Sequence, residues 1–224
     1  MKKTKRFYPR HIRALRRLAI ALSLLLLCNS VLHVGFLLPI QALRVCEQSE
    51  GVYERTHVVR RRWESNMMHL IDILYLTEGE NTLSLFCAHP SVLGWLDGFV
   101  WPVDTSDGGD VQAGAVTMSR GDRESIVVFY GRVKGTEEMD LTANVRTEDW
   151  NDAENGPHIH IYGHGIGKED CLIRNGYTYF IFIEQNPVPK DLRNRLPAYH
   201  QLIVNRGEEH IEYEIERGAS VFWG

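Results

Sequence analysis

The sequence predicts a mainly β protein: an N-terminal transmembrane (or signal) helix followed by an antiparallel β-sandwich-like extracytoplasmic domain. Three observations predict it. A basic leader precedes a long uncharged apolar run, every acidic residue lies beyond that run, and the rest of the chain is written in short apolar–polar alternations separated by turn residues.

The leader, residues 1–17, reads "MKKTKRFYPRHIRALRR", with eight Lys and Arg and no acid. Residues 18–40 then carry no formal charge. At about 1.5 Å per residue, a helix of this length matches a hydrocarbon core of about 30 Å. The run exceeds the usual h-region of a signal peptide, which favours a retained anchor. Asn29, Ser30, His33 and Pro39 make its second half less apolar, and "IQA" ending at Ala42 offers a small-residue cleavage site, so a secreted form stays open. In either case the basic flank keeps the N-terminus cytoplasmic and places the remainder across the membrane.

Beyond residue 40 the chain has seventeen Lys and Arg against twenty-nine Asp and Glu, a balance of −12. That charge speaks against nucleic acid or an anionic lipid surface as the main partner. Cys46, Cys87 and Cys171 are widely separated and form no CxxC pair. An oxidising compartment permits one disulfide among them, while three buried thiols fit equally well.

Residues 41–110 read as a membrane-proximal α+β region and residues 111–224 as the β-sandwich-like domain. In "ERTHVVRRRWESNMMHL" Val59, Trp63, Met67 and Leu70 recur at helical spacing, which predicts a helix with Arg60–Arg62 on its solvated face. "IDILYLTEGENTLSLFCAH" predicts two strands around the turn "EGEN". "WPVDTSDGGDVQAG", residues 101–114, is expected to be a dividing loop.

The later strands are clearer. "SIVVFYGRV" is almost continuously apolar, as a strand buried on both faces must be. "MDLTANVR" alternates, with Met139, Leu141, Ala143 and Val145 inward. "YTYFIFIE" is strongly β-forming. "YHQLIVNRGEEHIEYEIER" predicts a hairpin with Ile211, Tyr213 and Ile215 on the core side. An immunoglobulin-like sandwich or a small barrel accommodates the same pattern.

The chemistry concentrates in "GPHIHIYGHG". His158 and His160 share one face of a strand about 7 Å apart, and His164 follows between two glycines. These three are the candidate metal ligands, with His200 or Glu169 as conceivable distant partners. The competing expectation is that Ile159 and Ile161 enter the core while the histidines face water. Asp104, Asp107 and Asp110 lie in a Gly-rich loop that could hold calcium but reads more simply as a turn. "RGD" at residues 120–122 falls at an expected hairpin tip. No GxSxG elbow, phosphate-binding glycine loop or HExxH is present.

The function expected from these features is that of a membrane-held, non-catalytic module binding another envelope protein. The alternative is a metal-binding protein or metal-dependent enzyme built on His158, His160 and His164.

Overall fold

The computed structural model describes residues 10–32, 36, 38–64, 72–91, 94–120, 124–149, 158–185, 198–215 and 220–223. They form a mainly β protein with two helices. Helix α1 (Arg10–Leu32) leaves Leu15, Leu18, Leu24 and Leu27 exposed. Among the described residues no helix is long and apolar enough to cross a membrane.

Helix α2 (Pro39–Ser49) begins on a proline, whose fixed φ suits a first helical turn and holds Leu38 extended before it. It contains Ile40 and Ala42, the last residues of the apolar run and of the "IQA" site. One face of α2, Ala42, Leu43 and Cys46, is buried. On the other side the helix carries a charge into the interior. Glu47 is buried, accepts hydrogen bonds from Thr56 Oγ1 at 2.6 Å and Thr77 Oγ1 at 3.1 Å, and pairs with Arg44 Nη1 at 2.6 Å. A buried carboxylate so fully partnered avoids the desolvation penalty of an isolated one.

The strands form three sheets. Sheet I has the order β1 (His57–Glu64), β2 (Asp72–Glu78), β3 (Thr82–Ser91) and β4 (Gly94–Asp104). Sheet II has the order β13 (Ser220–Trp223), β5 (Val111–Arg120), β6 (Glu124–Lys134), β10 (Tyr177–Gln185) and β9 (Cys171–Arg174). Sheet III has the order β12 (Glu209–Ile215), β11 (Ala198–Arg206), β7 (Asp140–Asp149) and β8 (His158–Ile166). Neighbours are antiparallel except β13 and β5, which run parallel.

Three apolar clusters stack these layers. Ala42 and Leu43 of α2 meet Ile73, Tyr75, Phe86 and Val100 on one face of sheet I. The other face of sheet I, with Leu74, Leu76, Leu85 and Trp101, meets Val128, Tyr130, Tyr179 and Ile181 of sheet II. The opposite face of sheet II, with Phe129, Phe180 and Phe182, meets Leu141, Ala143, Val145, Leu202 and Val204 of sheet III. Sheet II is therefore covered on both sides, which is why β6 and β10 are apolar without alternation. In β7, Leu141, Ala143 and Val145 are buried, as the alternation predicts.

Two expectations are corrected. The helix predicted from Val59, Trp63, Met67 and Leu70 is a strand over its described part: β1 pairs with β2 from His57 to Glu64, and residues 65–71 lie outside the described residues. Arg61 is exposed, but Arg60 and Arg62 are not part of a solvated patch. Arg62 Nη1 pairs with Asp170 and donates to the Ile181 carbonyl at 2.8 Å, and Arg60 Nη2 donates to the Glu169 carbonyl at 2.5 Å. They lash sheet I to the edge of sheet II.

The dividing loop is also shorter than expected. Trp101 to Asp104 end β4, β5 starts at Val111, and residues 105–110 alone turn the chain from sheet I to sheet II. Asp104 Oδ1 accepts the Ser106 N–H at 2.8 Å, and Asp107 Oδ1 accepts the Gly109 N–H at 3.0 Å. Those are the side-chain turns that Asp builds with its own backbone. These bonds hold both carboxyls below the usual carboxylate range. Of the RGD tripeptide, Arg120 ends β5, and Gly121 and Asp122 lie outside the described residues.

Candidate functional site

Strand β8 carries all three candidate ligands, and its orientation is the reverse of the one expected. Ile159 and Ile161 are 50% and 58% exposed. The even-numbered residues face sheet II: Tyr162 and Ile166 pack against the cluster between sheets II and III. His160 and His164 share that parity and are half-buried, while His158 at the strand end is exposed. The register fixes this. Ala143 and Val145 of β7, both buried, stand opposite His164 and Tyr162. A strand paired in that register must send the histidines to the same side as those residues.

Polar groups lie on the inner side of β8 and of the strands beside it. His164 Nδ1 lies 3.3 Å from Glu184 Oε2 of β10. Its Nε2 is buried with no hydrogen-bond partner among the described residues. Opposite His160 stands Thr147, only 1% exposed, whose Oγ1 likewise has no partner there. One strand further, buried His200 approaches Thr117 Oγ1 at 3.4 Å and meets the Phe129 ring edge-on at 5.6 Å between centroids. These residues line the interlayer beyond Phe182, where β9 no longer pairs with β10.

The three predicted ligands thus share a face, and Glu184 and Thr147 are what sequence reasoning missed. The signal for Glu184 was its parity with Phe180 and Phe182. Among the described residues, no group of three or more His, Cys, Asp and Glu side chains is gathered closely enough to hold a metal ion. Glu169, the other conceivable ligand, is exposed in the 3-10 turn Lys168–Asp170 and contributes its carbonyl to Arg60.

Elsewhere, Asp72 and His89 form a buried pair at 2.7 Å between β2 and β3. A cavity of about 560 Å³ opens between β8, β9 and the turn before β7, walled by Met139, Ile166, Cys171 and Ile173. Among the described residues, Cys46, Cys87 and Cys171 form no disulfide with one another. Burial pushes the Cys87 and Cys171 thiols up, so neither is an activated nucleophile.

The outer side of β8 has a different character. The strand is the free edge of sheet III among the described residues, nine residues long, with no Asp, Glu, Lys, Arg or Pro. Among the described residues no further strand pairs with its outer side, which is flanked by two exposed isoleucines. Comparison with protein-family models, with curated proteins and with solved structures finds no match.

Proposed function

We propose that the chain is a non-catalytic binding module, held at a membrane by its N-terminal segment and recognising an envelope protein through the β8 edge. The observation that carries the reading is that edge: long, uncharged and lined outwardly by Ile159 and Ile161. Backbone pairing there supplies affinity, and the alternate side chains supply selectivity, as in other strand-addition interfaces. Membrane attachment is supported by the exposed leucines of α1 beside the basic leader.

The experiment is site-specific photo-crosslinking in intact membranes. A crosslinking residue at position 161 should give a discrete adduct, and one at exposed Tyr53 should not. No adduct at 161, or equal adducts at both, removes the reading.

A second reading, metal binding at the histidines, is favoured by one detail: His164 holds Glu184 with Nδ1, and its buried Nε2 has no hydrogen-bond partner among the described residues. Stoichiometric zinc or copper in the purified protein, lost in His158→Ala/His160→Ala, would replace the first reading with this one. A metal-free protein whose stability ignores chelator removes it.

A further inference from the structure

Among the described residues the six sheet edges are treated unequally. Strand β1 bears Arg60, Arg61 and Arg62, and β12 bears Glu209, Glu212 and Glu214. Strands β9 and β13 are four residues each. Strand β4 contains Pro102, packs under α2, and exchanges two backbone hydrogen bonds with Phe36, at 2.6 and 2.7 Å. Charge, shortness, proline and a covering segment are the devices by which edges are kept from pairing with other chains. Strand β8 has none of them among the described residues.

We infer that β8 is the seat of a twofold-symmetric dimer, in which it pairs antiparallel with β8 of a second copy and joins two copies of sheet III into one continuous sheet. The inference rests on the reading of β8 as the recognition edge and names its occupant. The argument is self-complementarity. The outer row of β8 reads Ile159, Ile161, Gly163, Gly165. An antiparallel pairing centred on Tyr162 overlaps all nine residues and sets Ile159 against Gly165 of the second copy and Ile161 against Gly163. Each large side chain meets a position with none, and a Cβ built on Gly165 finds nothing within 4 Å. On the inner row Tyr162 meets its own counterpart, an aromatic pair of the kind that stabilises sheets. A twofold interface requires a patch complementary to itself, and a strand with large residues in one half and glycines in the other meets that requirement. The chain beyond residue 40 carries −12, so two copies meet with least repulsion along an uncharged strip.

The test is sedimentation equilibrium of the full chain in detergent, with Ile161→Lys as the edge variant and Tyr53→Lys, at an exposed position outside β8, as the control. A reversible dimer is expected, weakened at least about tenfold by Ile161→Lys, through lost cross-strand contact and like charges at the axis, and unchanged by Tyr53→Lys. Circular dichroism should show the same strand content in all three proteins. A mixture of Ile159→Cys and Gly165→Cys should form a disulfide-linked dimer beyond the level of either alone. A wild-type monomer across the accessible concentrations overturns the inference, as does a dimer indifferent to Ile161→Lys. If the protein is monomeric while position 161 still crosslinks to a different protein in membranes, the dimer fails and the recognition edge stands. If position 161 crosslinks to nothing, the recognition edge fails as well.

Discussion

Replacing Arg132 by Met should be among the most costly single changes in this protein, because of where its guanidinium sits. Between sheets I and II, Arg132 Nη1 pairs with Glu78 Oε1, and Nε donates to Gln112 Oε1 at 2.6 Å. The guanidinium also lies over the Tyr177 ring at 4.6 Å. Both charged side chains are only 11% exposed. Breaking a buried pair by removing one partner costs about 3–5 kcal/mol, because the other charge is left stranded. Glu78 Oε1 retains the Tyr179 hydroxyl as a donor at 2.8 Å, so the lower end applies, about 3 kcal/mol. For a chain of this size that is about 6–12 °C in Tm. The double variant Glu78→Gln/Arg132→Met removes the stranded charge and should recover at least about 1.5 kcal/mol of the loss. Urea denaturation of wild type, both single variants and the double variant measures the coupling. A cost below about 1 kcal/mol for Arg132→Met, or strict additivity, would refute the claim that this pair joins the two sheets.

Further consequences follow from the same layering. Gly131→Ala should cost about 2 kcal/mol or more by denaturation, since its Cβ would meet the Gln112 carbonyl at 2.6 Å and the Phe180 ring at 2.8 Å; a neutral result would mean that sheet II is looser than described. Burial first, and then its bond to Glu78, push the Tyr179 phenol up to about 12. Its contribution to stability is complete below the ordinary tyrosine range near 10 and is lost as pH rises toward 12, so tyrosinate absorbance from this residue should appear only together with alkaline unfolding. Among Cys46, Cys87 and Cys171, thiol titration should label Cys171 first in the native protein, with Cys46 and Cys87 reacting only on unfolding. Early reaction of Cys87 would contradict its position between sheets I and II.

Much of the β architecture was legible because alternation is a direct imprint of burial. Leu141, Ala143 and Val145 of β7 and Ile215 of β12 are inside as their spacing requires. The apolar run of β10 announced a strand, and that of β6 announced a strand covered on both faces. What covers it was not legible, since nothing local in β6 says that sheet I lies on one side and sheet III on the other.

The strand β1 was misread for a definable reason. Val59 and Trp63 are four residues apart, a spacing that satisfies both a helix of period 3.6 and a strand of period 2. The adjacent β-branched pair Val58–Val59 was the discriminating sign.

In β8 the isoleucines are more apolar than the histidines, so intrinsic hydrophobicity pointed them inward. The decisive residues were Tyr162 and Ile166, which share the histidines' parity, whereas Gly163 and Gly165 share that of Ile159 and Ile161. The bulk of the strand's second half therefore lay on the histidine side. Of the candidate site, the grouping of the three histidines on one face could be read from spacing. The parity of Glu184 with Phe180 and Phe182 could be read too, but the approach of Glu184 and Thr147 to the histidines could not, since it depends on the stacking of sheets II and III.

The recognition role of the β8 edge is tested most directly by the photo-crosslinker at position 161 in intact membranes. The account predicts one or a few discrete adducts there, among them a species of twice the chain mass, with none from position 53. A residue at 161 that meets only water, giving no adduct while the protein remains folded and membrane-associated, would contradict it.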